Sequence, residues 1–448
     1  MKRKDILLAP TTVFKAALVC LVFASSCLAQ FDGGGGPSIL SRGGARPGQA
    51  GGKPINFNFY AGINGNYSNG SIPIDLGNGA LNKQVLYGGS LNAGLTGSHA
   101  WKNSAIGVDY RGDYRRYSGH SYADGTEQAL DLQYTLQATR RLIFHVTLAG
   151  GTSTNANGGF ISPTTTLDPN LIGIPTSNIF DNRLYYAQTT VGVTYRQNAR
   201  LSYVLSGDGF TVHRTSRNLV GVNGYRATAQ VNYRFSRRDH IGIGYTFTHF
   251  SYPRAFGASD LHGISATYGR RLAPGLDVSV GGGIFRIETL GAAQVTLSPE
   301  VAAILGQTFG YQAIYRVNYV PQYSAALTYT QRRSSLTASA GAGVTPGNGV
   351  YLTSRALNAG VGYSYSGIRK VTLSLNVGVS QFSSAFQTLE QYRNYYAGVS
   401  TAYAVTRHLS AALQTDARTY TLNNKNRAGY SVSIGIYWSP TEIPIPSW

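Results

Sequence analysis

The sequence predicts an all-β chain, specifically a transmembrane, antiparallel, up-and-down β-barrel of about eighteen strands. Three observations lead there. Of the 448 residues only 13% are charged, while Gly supplies 55 and Tyr 32, and Met occurs once. That composition is poor in ordinary helix formers and rich in what strands and membrane interfaces use. Runs of about ten to twelve residues alternate apolar with small or polar side chains, the period of a strand with two different faces. Short basic turns and longer loops separate these runs in strict alternation.

The N-terminus reads as an export signal over residues 1-29. Lys2, Arg3 and Lys4 are followed by an apolar run from Ala16 to Ala24, and Cys27-Leu28-Ala29 ends in a small residue suited to cleavage before Gln30. The alternative, lipidation of Cys27 after Ala24-Ser25-Ser26, lacks the branched residue expected three positions before the Cys. Cys20 and Cys27 both lie in this segment, so the mature chain has no disulfide and no thiol chemistry. Residues 30-54 are dominated by Gly, with Pro37, Pro47, Arg42 and Arg46, and form a flexible linker. No other stretch has the roughly 18 uninterrupted apolar residues of a spanning helix. If the mature chain enters a membrane, it does so as a closed barrel.

The barrel is predicted over 55-438. Strands fall near 56-67, 85-97, 103-115, 128-139, 142-153, 185-196, 201-210, 224-235, 240-250, 261-270, 276-286, 321-331, 336-344, 355-365, 371-381, 393-404, 409-419 and 427-438. Eight tight turns join them in pairs, around 98-102, 140-141, 197-200, 236-239, 271-275, 332-335, 366-370 and 405-408. Nine longer loops take the opposite side, so both chain ends lie with the short turns, which in such barrels face the periplasm. A Pro-rich tail, 439-448, follows. A soluble propeller packs four strands of about five residues into each repeat, whereas here two strands of about eleven fill it.

The phase of the alternation assigns faces. From Asn103 to Tyr114 the outer set is Ile106, Val108 and Tyr110, and the inner set is Gly107, Asp109, Arg111 and Asp113. Aromatic residues in the outer phase gather near strand ends: Tyr110, Tyr195, Tyr203, Tyr233, Tyr245, Tyr268, Tyr329, Tyr363, Tyr403 and Trp438. Two girdles at headgroup level are expected.

At the last strand, Arg427-Ala428-Gly429-Tyr430-Ser431-Val432-Ser433-Ile434 resembles the assembly signal of bacterial outer-membrane β-barrel proteins, the porin-like class. The pattern is polar, any, Gly, two of any kind, apolar, any, apolar, and it is carried by Gly429, Val432 and Ile434 with Trp438 as an aromatic beyond them. The chain departs from the class by continuing past Trp438. The resemblance implies the cell outer membrane, contact with its lipids and handling by the barrel assembly machinery. No narrower family is indicated.

No constellation points to catalysis. Gly pairs at 242/244, 341/343 and 360/362 lie inside strands without the continuation of a dinucleotide loop, and are read as small lumenal residues. The histidines form no metal-binding pattern, and no cofactor is implied. His249 and His262 flank the loop from Phe250 to Leu261 with Asp260 beside them; a surface hydrolase would place such a group there, and so would an aromatic girdle containing histidines.

The net charge falls from +19 for the whole chain to +16 once Lys2, Arg3, Lys4, Lys15 and Asp5 are removed. Lys102, Arg140, Arg141, Arg200, Arg237, Arg238, Arg270, Arg271, Arg332, Arg333, Arg369, Lys370 and Arg407 sit in or beside the tight turns. A rim of this kind suits anionic headgroups rather than nucleic acid, which would want clustered cations with stacking aromatics. The lumen is predicted to carry Arg111, Arg115, Arg196, Arg226, Arg234 and Arg418 against Asp109, Asp113, Asp131, Asp208, Asp277 and Asp416. Such rings tune ion preference.

Two long loops, near 154-184 and 287-320, are candidates for a constriction. In the second, Ser298, Pro299 and Glu300 provide a cap, a first-turn Pro and an acid, and Gly306 a stop, which predicts a two-turn helix. It either folds inward or forms an external surface. A passive diffusion channel for small polar solutes is expected. An export barrel for a charged polymer such as an exopolysaccharide, or a non-conducting adhesin or enzyme, stand beside it.

Overall fold

The computed structural model describes residues 56–70, 85–118, 124–154, 183–215, 220–296, 298, 300, 303–304, 306–346, 353–384, 392–422 and 425–440. The export signal over 1-29, the linker over 30-54, both cysteines, most of the 154-184 loop and the tail beyond Pro440 lie outside the described residues.

Eighteen strands follow in order: β1 Asn56–Asn69, β2 Val85–Ala100, β3 Ser104–Tyr117, β4 Gly125–Gln137, β5 Leu142–Thr154, β6 Arg183–Arg196, β7 Leu201–Arg214, β8 Val222–Arg234 and β9 Asp239–Ser251. The second half comprises β10 Gly257–Ala273, β11 Leu276–Thr296, β12 Phe309–Thr330, β13 Ser334–Thr345, β14 Ser354–Ile368, β15 Val371–Ser384, β16 Tyr392–Ala404, β17 Leu409–Leu422 and β18 Lys425–Trp438. Each pairs antiparallel with its sequence neighbours. β1 and β18 close the sheet, with Ala61 opposite Trp438 and Asn69 opposite Tyr430. Closure leaves no sheet edge along the seam, the condition for a β-structure in lipid. The shortest strand, β13, has 12 residues, more than the 9 to 11 a tilted strand needs to cross a bilayer.

The two faces differ as the alternation predicts. Ile63, Leu205 and Ile264 point outward at 60 to 61% exposure, an apolar surface far larger than a soluble protein tolerates. Aromatic rings band this surface at both ends. On the short-turn side Phe59 meets Trp438 edge-on at 6.5 Å, and Tyr195 stacks with Tyr203 at 6.4 Å. On the long-loop side Tyr67 lies between Tyr87 at 5.2 Å and Tyr430 at 5.8 Å.

Four of the tight turns share one local device, a side-chain oxygen accepting two backbone N–H groups. Thr139 Oγ1 accepts from Arg141 and Leu142, and Asn198 Oδ1 from Arg200 and Leu201. Ser236 Oγ accepts from Arg238 and Asp239, and Thr406 Oγ1 from His408 and Leu409. These Ser, Thr and Asn side chains satisfy turn amides that the ladder leaves open.

One expectation is corrected. The segment 287-320, read as a long loop, is mostly strand, because β11 runs to Thr296 and β12 starts at Phe309. The ladder continues to Thr296 opposite Phe309, past the point where β10 stops pairing at Gly257 opposite Gly291. Alternation persists through this ribbon, with Tyr311, Tyr315 and Tyr319 all strongly exposed on one face. Ser298 and Glu300, from the helix predicted around Ser298, Pro299 and Glu300, therefore lie at the tip of a projecting hairpin. Glu300, Ala303 and Ile304 are helical, and Pro299 lies outside the described residues. Ile304 is 82% exposed.

Candidate functional site: the lumen

The inward face carries its charges on one part of the wall. On β3, Asp109, Arg111, Asp113 and Arg115 follow one another at every second residue and share the inner face. Arg111 grips Asp109 side-on, Nε to Oδ1 at 2.9 Å and Nη2 to Oδ2 at 2.6 Å. Asp131 on β4 stands directly opposite Asp109. Arg115, 2% exposed, lies 3.3 Å from Asp113 and 3.4 Å from Glu127 of β4, and donates to the Thr154 carbonyl at 2.8 Å. Farther round the wall, Arg226 on β8 donates to Asp208 on β7 at 2.8 Å, while Thr190 Oγ1 donates to the other oxygen of Asp208 at 2.6 Å.

Asp416 accepts from Gln414 Nε2 at 2.7 Å, with Arg418 next on the same face of β17. Arg196 and Arg234 share this inner phase but sit at the short-turn ends of β6 and β8, away from the mid-wall groups. Arg271 and Asp277 pair at the same rim, 2.9 Å apart. The structure thus draws the charges into pairs and short ladders, and the inner phase of β13 to β15 carries none: Ser335, Thr337, Ser339, Asn358, Thr372, Ser374 and Asn376 fill it. Ser335 and Ser364 hydroxyls meet at 2.8 Å.

Sequence reasoning missed the role of many lumenal glycines. Gly62, Gly94, Gly263 and Gly378 are each directly opposite an aromatic residue, respectively Tyr437, Tyr60, Phe285 and Tyr396. A Cβ built at any of the four would collide with that ring. These glycines let an inward ring lie flat along the wall, so they are filled positions rather than spare volume for water. The signal lay in cross-strand register, which single-strand alternation does not carry.

At the long-loop end the inner face turns apolar. Leu184, Phe210, Val212, Phe250, Leu261, Ile287 and Val320 form one buried cluster. The turn 252–256, between β9 and β10, lies over it, with Tyr252 buried in the cluster. Tyr252 OH meets Thr353 Oγ1 at 2.8 Å; that oxygen lies 2.6 Å from Ser259 Oγ, which in turn lies 2.8 Å from Thr289 Oγ1. This chain of hydroxyls ties the residue before β14 to β10, across three intervening strands. This cluster was not among the expectations, although parity places Phe210 and Phe250 in the inner phase of Asp208 and Gly244.

The outward histidines form a different group. His249 Nδ1 lies 2.7 Å from Asp260 Oδ1, and Tyr225 stacks on the imidazole at 5.1 Å. His262 Nδ1 lies 2.8 Å from Tyr245 OH. No Ser, Thr or Cys hydroxyl or thiol among the described residues bonds to either histidine, and the rings lie in the aromatic band. Among the described residues no cluster of three or more His, Cys, Asp or Glu is placed to hold a metal. On β18 the side chains of Val432, Ile434 and Trp438 point outward, and Gly429 has the opposite phase.

A closed barrel of eighteen strands, apolar and aromatic-banded outside and polar inside, is a transmembrane β-barrel of the outer-membrane class. No family model matches the chain, and none of the curated proteins does. Solved structures with similar architecture include OccK9 (OpdG) of Pseudomonas aeruginosa, 13% identical with a TM-score of 0.43, covering 86% of this chain and 98% of that one. OccAB1 of Acinetobacter baumannii is 12% identical with a TM-score of 0.44, covering 88% and 99%. The ferric-catecholate import receptor Fiu of E. coli K12 is 7% identical with a TM-score of 0.43, covering 87% and 82%.

Proposed function

We propose that the chain is a porin-like passive diffusion channel for small polar solutes in the cell outer membrane, with both termini on the periplasmic side. The observation that carries this reading is the inner wall itself. Small hydroxyl and amide side chains line β13 to β15, paired charges stand on β3, β4, β7 and β8, and Asp416 and Arg418 follow one another on β17. Asp109, Arg111, Asp113, Arg115, Asp131, Arg196, Asp208, Arg226, Arg234, Asp416 and Arg418 are assigned as pore-lining. An eighteen-stranded circumference encloses more space than its own side chains fill. Charges held against partners on one part of the wall act as fixed dipoles beside a permeating solute, and tune ion preference without a net field of one sign.

Narrowing is assigned to the 252–256 turn and Thr353, because Tyr252 already reaches inward over the apolar cluster. The ribbon tip with Ser298 and Glu300 stands beyond the wall. The assembly machinery is assigned Gly429, Val432, Ile434 and Trp438 on the closing strand. Full-length protein reconstituted in planar bilayers is expected to give stepwise ohmic conductance. A barrel that inserts, verified by its shifted migration when unboiled, yet stays electrically silent would overturn the channel reading.

A further inference from the structure

The wall is not continuous at its long-loop end. β12 pairs with β13 only from Tyr323 opposite Ala342 to Thr330 opposite Ser335. Above that point β12 follows β11 alone, through Phe309. β13 follows β14 alone, through Thr345 opposite Ser354. The two strands therefore part at Tyr323, eight residues from the turn at 331–333, about 26 Å along the strand and roughly 20 Å along the axis of a barrel with strands tilted by about 40°. That height is the outer margin of an apolar band about 25 Å tall, where acyl chains give way to headgroups. Unpaired backbone donors are costly there. Pro321, just above the split, carries no N–H and leaves no donor at its position.

A cavity of about 220 Å³ occupies the outer side of the split. Its floor is Pro321, Tyr323, Ala342 and Leu357, and its polar side is Arg355 and Gln381. Arg355 is exposed and makes no ion pair among the described residues. Gln381 Oε1 accepts from Arg393 Nε at 3.1 Å, so a second cation stands near the first. The back of the cavity is Val320, which also belongs to the buried lumenal cluster, with Val344 packed against that cluster. One side chain is thus shared between a lipid-facing notch and the apolar lining of the channel mouth.

We propose that this split is a lateral docking site for a single-chain amphiphile with an anionic head. The chain enters the notch over Tyr323 and Leu357, the head lies at Arg355 and Arg393, and Val320 is the partition through which the notch adjoins the lumenal cluster. The volume is below the ~300 to 1,000 Å³ of sites for drug-sized ligands, and matches part of one acyl chain rather than a whole two-chain lipid. Two cations with no ion-pair partner among the described residues set the sign of the head. The site is independent of whether the lumen conducts.

The test uses the full chain in phosphatidylcholine vesicles with a photoreactive dodecanoate, and locates the adducts by peptide mass spectrometry. Adducts are expected on Tyr323 and Leu357 in excess over the outward residues Leu91 and Ile243. Arg355→Glu with Arg393→Glu should cut labelling about tenfold, the scale of one to two cations at a lipid surface. Leu357→Trp should abolish it by filling the notch. Val320→Ala should carry label onto Phe285 and Ile287. Even labelling around the belt, or equal labelling by a quaternary-ammonium analogue, would overturn the site. Label confined to the outside in Val320→Ala would overturn the connection to the lumen. Migration of unboiled protein checks that each variant is a closed barrel.

Discussion

Arg226 and Asp208 are bonded across the β7–β8 ladder, guanidinium Nε to carboxylate Oδ2 at 2.8 Å, on strands where they stand directly opposite. The pair is neutral as a unit, and Asp208 is further held by Thr190. Replacing Arg226 and Arg234 by Glu turns the neutral Arg226–Asp208 pair negative, removes the further positive charge of Arg234, and sets a carboxylate against Asp208. The expected outcome is a shift of reversal potential toward cations in a salt gradient across a planar bilayer. Asp208→Asn should act in the opposite sense, since it leaves Arg226 with its charge and without a countercharge. An unchanged reversal potential in both variants would remove these residues from the permeation path.

Arg115 supports a different expectation, one of stability. It is 2% exposed and faces both Asp113 and Glu127, which are themselves directly opposite each other. Arg115→Gln leaves two carboxylates facing across a ladder with no cation between them. Removing one member of a buried ionic group costs about 3 to 5 kcal/mol. Urea unfolding from lipid vesicles should show a loss near the lower figure, because the lumenal face admits water. Glu127→Gln added to it should restore part of the loss.

Much of this architecture was legible in the sequence because a barrel strand has only two environments, and parity distinguishes them. Asp109, Asp208 and Arg226 could be assigned to the inner face by counting from Ile106 or Tyr225. The turns were legible as short basic breaks between alternating runs, whereas the amide-accepting roles of Thr139, Asn198, Ser236 and Thr406 came only with the structure. What stayed hidden depends on register between strands. Gly62 reads as empty space until Tyr437 is found opposite it. The parting of β12 from β13 at Tyr323 leaves no trace in either strand, since both continue to alternate. The same continuity made the β11–β12 ribbon: a loop was expected where the alternation did not stop.

Lys370 is the one non-glycine residue among the described residues with a positive φ, 65°. It occupies the β14–β15 turn, and its carbonyl accepts from the Ala404 amide at 2.8 Å. A side chain in this conformation costs about 1 to 2 kcal/mol, partly offset by the greater freedom glycine has when unfolded. Lys370→Gly is expected to stabilise the barrel by about 0.5 to 1 kcal/mol in the same urea assay. A loss of stability would mean that the ammonium, through headgroup contact at the rim, contributes more than the turn geometry costs.

The hydroxyl chain at the mouth should set how steadily the channel stays in one state. Thr353 Oγ1 is the joint between Tyr252 and Ser259, and all three side chains are buried. Thr353→Val keeps the volume and removes the joint, leaving the Tyr252 hydroxyl without that partner, at a cost of about 1 to 3 kcal/mol. Single-channel records should then flicker more often between conductance levels, with the mean open level unchanged. Tyr252→Phe should act more weakly, because the bond between Thr353 and Ser259 survives. Burial holds the Tyr252 phenol above its ordinary range, so the phenol remains a donor through neutral pH. A proton held more tightly in the folded state stabilises fully below the unfolded value of about 10, and this contribution is lost as pH rises through the higher folded value. Flicker in the unmodified channel is therefore expected to be flat from pH 6 to about 9 and to rise only in stronger alkali. In Thr353→Val that alkaline rise should be blunted, since the joint it depends on is already gone.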